Sequence, residues 1–232
     1  MLESEYYLNK NFYVLFDDAV NNLEESDSAI DEDDYAKVFR YGRASIIAST
    51  LLLECCANCC IDTLKLGKSF REDIDKLPAL SKYELFLSYH NKEKSFDRGC
   101  QEIQNASELK YIRDLIVHPK VRRAKWEKAN GNFRHADIGE TKILKYPNDI
   151  EIWDRNYALM SLRIICAFLD HFFLNLCCFD AEITKKILID YEEFTINPQV
   201  GVGTPNEWEK PQVKWQLRLG FIGIESQNAK NL

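Results

Sequence analysis

Apolar side chains recur every three or four residues along most of the first 190 positions, which predicts a chain built from helices. The run ASIIASTLLLECCANCCI is apolar nearly all round, as is typical of a helix at the centre of a bundle. Only 6 prolines and 9 glycines occur in 232 residues, so few breakers interrupt this pattern. We predict an all-α fold with helices over residues 5–24, 35–66, 80–90, 97–118, 149–179 and 181–193.

Two stretches lose the helical spacing. Pro119 ends the helix before it, and residues 120–147 contain an Asn130-Gly131 dipeptide typical of a hairpin turn. We therefore expect a small β-hairpin or loop inserted into the bundle. Three prolines and four glycines follow residue 196. The sequence thus predicts one helical domain over residues 1–196 and an irregular C-terminal tail over 197–232.

Charge is unevenly distributed along the chain. The formal net charge is −7, but residues 1–34 hold 11 of the 37 acidic residues and one of the 30 basic residues. The rest of the chain therefore has a net charge of about +3. We interpret residues 27–34 as a charged link between the first two helices. The basic balance of the remaining chain is compatible with an RNA partner.

Two apolar stretches, residues 44–61 and 156–179, approach the length of a membrane span. Glu54 interrupts the first, and Arg163 and Asp170 interrupt the second, so we predict buried core helices and no membrane partner. The start of the chain, MLESEYYLNK, lacks the basic and apolar regions of a signal peptide. We expect a cytoplasmic protein whose eight cysteines are reduced.

Cysteine is concentrated in the apolar second helix, where Cys56 and Cys59 form a C-x-x-C pattern. Free cysteine inside an apolar helix behaves as a small hydrophobic side chain, so we predict core packing. Metal or redox chemistry is the alternative, although no second pair stands at the spacing of a zinc site. We predict no metal and no cofactor, and we interpret His90, His135 and His171 as structural.

The common catalytic motifs of hydrolases, nucleotide-binding proteins and zinc proteases do not occur in this sequence. What remains is RDLIVHP, in which Arg113 and His118 stand near the end of a helix. Arginine presents a planar set of donors suited to phosphate, and histidine exchanges a proton near neutral pH. Together they suffice for metal-independent cleavage of RNA, with His118 as general acid or base.

Arg113, Asp114 and His118 resemble the signature of the HEPN superfamily, which is Arg, four to six residues and then His, with a polar residue directly after the Arg. The resemblance covers six residues as a motif and residues 35–180 loosely as architecture. It implies an up-and-down helical bundle that dimerises so that both motifs face one cleft. It further implies a metal-independent endoribonuclease, possible roles as a toxin or defence effector, and a possible cognate antitoxin.

Two neighbouring features are relevant to RNA cleavage. Glu54 is expected to be a buried carboxylate, which needs a partner such as Arg113 or Arg43. The strip after the motif is basic and includes an aromatic residue, which suits RNA binding but equally suits an edge strand protected by charge. Its candidate RNA-binding residues are Lys120, Arg122, Arg123, Lys125 and Trp126.

Three other interpretations are open. The first is a HEPN-like RNA-binding or regulatory dimer without catalysis. The second is a helical interaction protein that uses a Cys-rich surface for metal or redox sensing. In the third, Arg113 and Asp114 are surface charges and His118 caps the C-terminus of its helix, where the helix dipole favours a positive charge.

Overall fold

The computed structural model describes residues 9–121, 124–128, 134–189 and 208–224. These residues are mostly helical, which confirms the all-α prediction at the level of fold class. A π-helical segment, His171–Leu176, continues the sixth helix without a break. The helices are α1 (Phe12–Asp31), α2 (Tyr35–Thr63), α3 (Lys68–Asp75), α4 (Ala79–His90), α5 (Gln101–Val117), α6 (Arg155–Asp170), α7 (Ala181–Leu188) and α8 (Glu209–Trp215).

Helix α1 extends further toward the C-terminus than the sequence predicts. Residues 27–31 are helical rather than part of a charged link, because Ser26 and Ala29 are buried and the partly buried Asp27 forms ion pairs with Arg155 and Lys214. The link shrinks to residues 32–34. Asp34 then caps α2, since its carboxylate accepts a hydrogen bond from the backbone N–H of Lys37 at 3.1 Å.

Helix α2 lies at the centre of the bundle and packs against α1, α4, α5, α6 and α7. Cys56 and Cys60 are fully buried and burial raises the pKa of both thiols, which confirms core packing for this part of the cysteine cluster. Gly42 allows the closest approach to the start of α6. A Cβ atom there would lie 2.8 Å from the backbone carbonyl of Trp153.

Helices α3 and α5 differ from the prediction in instructive ways. Ile74 is the only buried residue of α3, so this helix has no apolar stripe to reveal it in the sequence. It contacts the end of α2 through an ion pair between Arg71 and Asp62. Helix α5 begins four residues later than predicted, with Cys100 at its N-cap position, and His118 is its C-cap.

The stretch predicted as a hairpin or loop contains two short strands. β1 (Lys125–Lys128) pairs antiparallel with β2 (Arg134–Asp137), and Lys125 stands opposite Asp137. The predicted Asn130-Gly131 turn lies outside the described residues. Residues 138–148 then fold back onto the bundle, where the fully buried Tyr146 packs against Trp153 at a ring-centroid distance of 6.0 Å.

Residues 208–224 belong to the hydrophobic core, in contrast to the predicted irregular tail. Trp208 packs on Phe16 of α1 with ring centroids 4.6 Å apart, and Phe221 is fully buried. Arg163 of α6 donates a hydrogen bond to the carbonyl of Trp215 at 2.8 Å. Large apolar residues are interleaved here with turn-forming ones, so no helical period marks this segment in the sequence. The rest of the predicted tail, residues 197–207 and 225–232, lies outside the described residues.

Two helical stretches, Tyr35–Thr63 and Arg155–Leu176, are long and apolar enough to cross a membrane by length and composition alone. In their most apolar windows, 67% and 50% of the residues are buried inside the protein. The central position of α2 in the bundle accounts for the apolar character of the first stretch.

Candidate functional site

The Arg113 side chain lies between α2 and α5 and is held by two carboxylates. Its Nη1 donates to Glu54 at 2.5 Å, and its Nη2 donates to Asp114 at 2.9 Å. Asp114 also accepts a hydrogen bond from Lys110, one turn earlier on α5, at 3.0 Å. Only 19% of the Arg113 side chain is exposed, so its guanidinium has a defined orientation. We refer to Glu54, Lys110, Arg113 and Asp114 as the arginine cluster.

The formal charges of the arginine cluster cancel. Burial opposes ionisation of Asp114, but hydrogen bonds from Lys110 and Arg113 outweigh it and lower the pKa of the carboxyl below its ordinary value. Burial likewise opposes the charge of Arg113, and the two carboxylates outweigh it and raise its pKa. Arg113 and Asp114 therefore remain ionised near neutral pH.

The arginine cluster borders a cleft of about 270 Å³. The cleft lies between α2, the link from α3 to α4, and α5. Thr50 and Leu53 form its α2 wall beside Glu54, and Pro78 lies on the opposite side. The volume is near the lower limit of small-molecule sites, which usually measure about 300–1,000 Å³.

Glu54 occupies a different environment from the one the sequence predicts. Its side chain is 46% exposed, so the prediction of a buried carboxylate was wrong, because Glu54 lies on the face of α2 that borders the cleft. Of the two partners considered from sequence, Arg113 is the one in contact. Arg43 instead makes long hydrogen bonds of 3.4 Å to the carbonyls of Ile150 and Glu151.

His118 is exposed at the end of α5. Its backbone leaves the helix at φ −123° and ψ 64°. Within the part of the chain that the structure describes, its ring has no hydrogen-bond partner. His118 lies beyond Val117, the last residue of α5, so helical geometry alone does not fix the direction of its ring relative to Arg113.

The predicted RNA-binding strip falls largely outside what the structure describes. Lys120 is exposed directly after the motif. Arg122 and Arg123 lie outside the described residues. The backbone of Lys125 and Trp126 belongs to β1, but their side chains are not described, so an RNA-binding role for the strip stays a prediction.

A second group of polar side chains, which the sequence did not indicate, lies at the other end of α5. The thiol of Cys100 contacts Glu102 Oε2 at 2.9 Å and His171 Nε2 at 3.7 Å. All three residues are partly buried, and their donor atoms lie within 4.8 Å of one another. We refer to them as the Cys–Glu–His cluster.

The interpretation of His171 as a purely structural residue without a suitable partner is therefore incomplete. Its partner Cys100 is 71 residues away in sequence, so no spacing rule connects the two. The residues share a site because α5 packs against α6 and α6 continues into the π-helical segment.

No family model, curated protein or solved structure matches this chain.

Proposed function

We propose that the protein is a HEPN-like, metal-independent endoribonuclease that acts as a homodimer. The observation that carries this proposal is the fixed guanidinium of Arg113 at the edge of a cleft, on the same helix end as the exposed His118. A preorganised cation and a solvent-accessible imidazole are the minimum chemistry for cleaving a phosphodiester without a metal.

In this proposal His118 acts as the acid–base residue. One imidazole removes the proton from a ribose 2′-hydroxyl, whose oxygen then attacks the adjacent phosphorus. The bond from phosphorus to the 5′-oxygen breaks, and a protonated imidazole returns a proton to that leaving oxygen. The products are a 2′,3′-cyclic phosphate and a free 5′-hydroxyl.

Arg113 stabilises the negative charge that develops on the phosphate during this attack. Glu54 and Asp114 are positioning residues, because their hydrogen bonds fix the plane of the guanidinium. The exposed Lys120 adds positive charge next to His118. The proposal includes a dimer because the HEPN resemblance implies that two copies meet so that both motifs supply their Arg and His to one cleft.

Cleavage of a fluorescent single-stranded RNA in the presence of EDTA tests the proposal. We expect cleavage by the wild-type protein and a loss of at least about 100-fold in His118→Ala, as is typical for removal of a general acid or base. His90 provides a matched control, because it is also an exposed histidine at the C-terminal end of a helix, and His90→Ala should retain activity. Equal cleavage by His118→Ala would rule out this mechanism.

A second candidate, a HEPN-like dimer that binds RNA without cleaving it, is favoured by the charge balance of the arginine cluster. The described hydrogen bonds of the Arg113 guanidinium go to carboxylates, which leaves little net positive charge for a phosphate. In this case RNA binds without cleavage, and neutralising Lys120, Arg122 and Arg123 weakens binding and flattens its salt dependence. Retention of RNA by that triple variant would contradict this candidate.

A protein that senses metal or redox state through a Cys-rich surface is the least favoured alternative. The α2 thiols of Cys56, Cys59 and Cys60 are at most 7% exposed and do not form a surface.

A further inference from the structure

The N-terminal end of α5 and the start of the π-helical segment bring together three different metal-binding side chains. Cys100 supplies sulfur, His171 supplies an imidazole nitrogen and Glu102 supplies a carboxylate oxygen, all within 4.8 Å. Zn²⁺ is bound in proteins by this mixture of donors, whereas Mg²⁺ and Ca²⁺ prefer oxygen ligands alone. We propose that the Cys–Glu–His cluster is a binding site for Zn²⁺ or a similar divalent transition metal.

Two of the three donor separations suit a tetrahedral ion after a small adjustment, and the third is no more than 4.8 Å. Two donors on one zinc ion are separated by about 3.3–3.6 Å, given bond lengths of about 2.0–2.3 Å. Cys100 Sγ and His171 Nε2 are already 3.7 Å apart. Cys100 Sγ and Glu102 Oε2 are hydrogen bonded at 2.9 Å and would separate by about 0.6 Å once a metal replaces the proton between them.

Cys100 occupies a position that helices normally give to another residue type. It is the N-cap of α5, where Ser, Thr, Asp or Asn would accept a hydrogen bond from the first turn. Its thiol makes no capping hydrogen bond of normal geometry and contacts the side chains of Glu102 and His171. Cys100 is thus a poor capping residue, and its side chain contacts a histidine and a carboxylate.

The backbone around His171 is also unusual. His171 is the first residue of the π-helical segment, a conformation that is rare and occurs frequently at functional sites. Its other ring nitrogen, Nδ1, lies 3.3 Å from the side-chain amide of Asn175. An amide can present either its nitrogen or its oxygen, so Asn175 can accept the Nδ1 proton while Nε2 binds a metal.

Metal binding at this site exchanges one bond for another. The S–H bond of Cys100 breaks, an S–Zn bond forms and the proton passes to the solvent. The thiol donates a hydrogen bond to Glu102 Oε2 at 2.9 Å, so it carries the proton that metal binding displaces, and Glu102 accepts that bond through a carboxylate oxygen. The other charged groups close to the site are Asp170 and Arg218.

Three protein ligands leave one tetrahedral position for water or another donor. The site lies at the opposite end of α5 from Arg113 and His118, and the 17 residues of this helix span about 25 Å. A bound metal would connect the start of α5 to the end of α6. Its role is therefore separate from the cleavage chemistry proposed above, and the nuclease proposal stands or falls without it.

Cobalt provides the direct test, because a Co²⁺–thiolate bond gives a near-ultraviolet charge-transfer band. We expect the reduced, full-length protein to bind one equivalent of Co²⁺ with this band, and one equivalent of Zn²⁺ to displace it. An excess of Mg²⁺ should not displace the bound Co²⁺. Calorimetric titration with Zn²⁺ in buffers of different ionisation enthalpy should show release of about one proton.

The key variant is Cys100→Ser, which removes the thiolate but supplies a better N-cap, so the helix is expected to stay folded. We expect the charge-transfer band to be lost in this variant and kept in Cys178→Ser, which removes an exposed thiol outside the cluster. Asn175→Ala should weaken Zn²⁺ binding by roughly 10–100-fold, the usual effect of losing an outer-shell partner. Circular dichroism checks that each variant is folded.

Three results would overturn the proposal. One is the absence of the band at a tenfold excess of Co²⁺. Another is a band that persists in folded Cys100→Ser. The third is equal loss of binding in Cys178→Ser, which would assign the metal to other thiols.

Discussion

The two ends of α5 bring polar side chains together in opposite ways. At the C-terminal end, the charges of the arginine cluster compensate one another, and each carboxylate contacts a cation at 3.0 Å or less. At the N-terminal end, a neutral thiol, an imidazole and a carboxylate converge with lone pairs still available. The first arrangement fixes a cation in place, whereas the second has the capacity to bind one.

The comparison also separates two kinds of sequence signal. Arg113 and His118 lie within six residues and resemble a known motif, although the described hydrogen bonds of Arg113 go to Glu54 and Asp114 and none joins it to His118. Cys100 and His171 share no motif and yet their side chains touch. Proximity in sequence is therefore a poor guide to proximity in space along a helix, and tertiary packing decides which residues act together.

The largest expected effect tests whether the two ends depend on one rigid helix. Leu109, midway along α5, is fully buried, and Leu109→Ala should lower the free energy of unfolding by about 2–5 kcal/mol through lost contacts and a cavity. Urea denaturation measures this loss, and exposed Gln101→Ala should change it by less than about 0.5 kcal/mol. Hydrogen exchange that accelerates at only one end would show that the ends are independent.

The second largest effect measures how much the arginine cluster stabilises the C-terminal end of α5. Arg113→Met leaves Glu54 and Asp114 without their shared cation and should cost about 1–2 kcal/mol, because Arg113 is mostly buried but Glu54 is not. The matched control is Arg98→Met, which breaks a pair whose side chains are 55% and 45% exposed and should cost about 0–1 kcal/mol. Equal losses in chemical denaturation would mean that the arginine cluster is an ordinary surface ion pair.

A smaller effect of opposite sign is expected at the N-terminal end. In metal-free protein, Cys100→Ser should raise the free energy of unfolding by about 0.5–1 kcal/mol, since a serine hydroxyl caps the first turn of α5. The same denaturation experiment in the presence of a chelator measures it. Destabilisation would instead show that the thiol contacts with Glu102 and His171 support the fold without any metal.

The smallest effect concerns pH. The pKa of Asp114 is lowered from 3.8 in the folded state, so its ion pairs stabilise the protein above that pH. This contribution is lost as the pH falls below 3.8 through the lower, folded-state value. The drop in unfolding free energy between pH 5 and pH 3 should therefore be smaller in Asp114→Asn than in the wild type. An unchanged drop would show that Asp114 is not strongly coupled to Lys110 and Arg113.

Helical periodicity predicted those parts of the fold in which one face of a helix is buried. The predicted start of α2 at residue 35 is confirmed, and the start of α4, predicted at residue 80, differs by one residue. It failed where burial follows no period, as in α3 with its single buried Ile74 and in residues 208–224, whose apolar residues alternate with turns.

The two candidate sites also differ in how far local sequence patterns predict them. Glu54 and Arg113 are candidates from sequence alone, because a carboxylate on an apolar helix needs a partner and Arg113 belongs to the RDLIVHP motif. The pairing itself depends on how α2 and α5 cross, which no local pattern specifies. The Cys–Glu–His cluster depends in addition on the π-helical turn at His171, for which no sequence rule exists.

The contact between the first helix and residues 208–224 has a consequence for synthesis. Phe12 packs against Trp208 and Phe221, with ring centroids 6.1 and 6.2 Å apart. A ribosome adding about 5–20 residues per second takes roughly 10–40 s to travel from one partner to the other. During that interval Phe12 lacks both of these ring contacts, so this part of the core is completed only after Phe221 has left the ribosome.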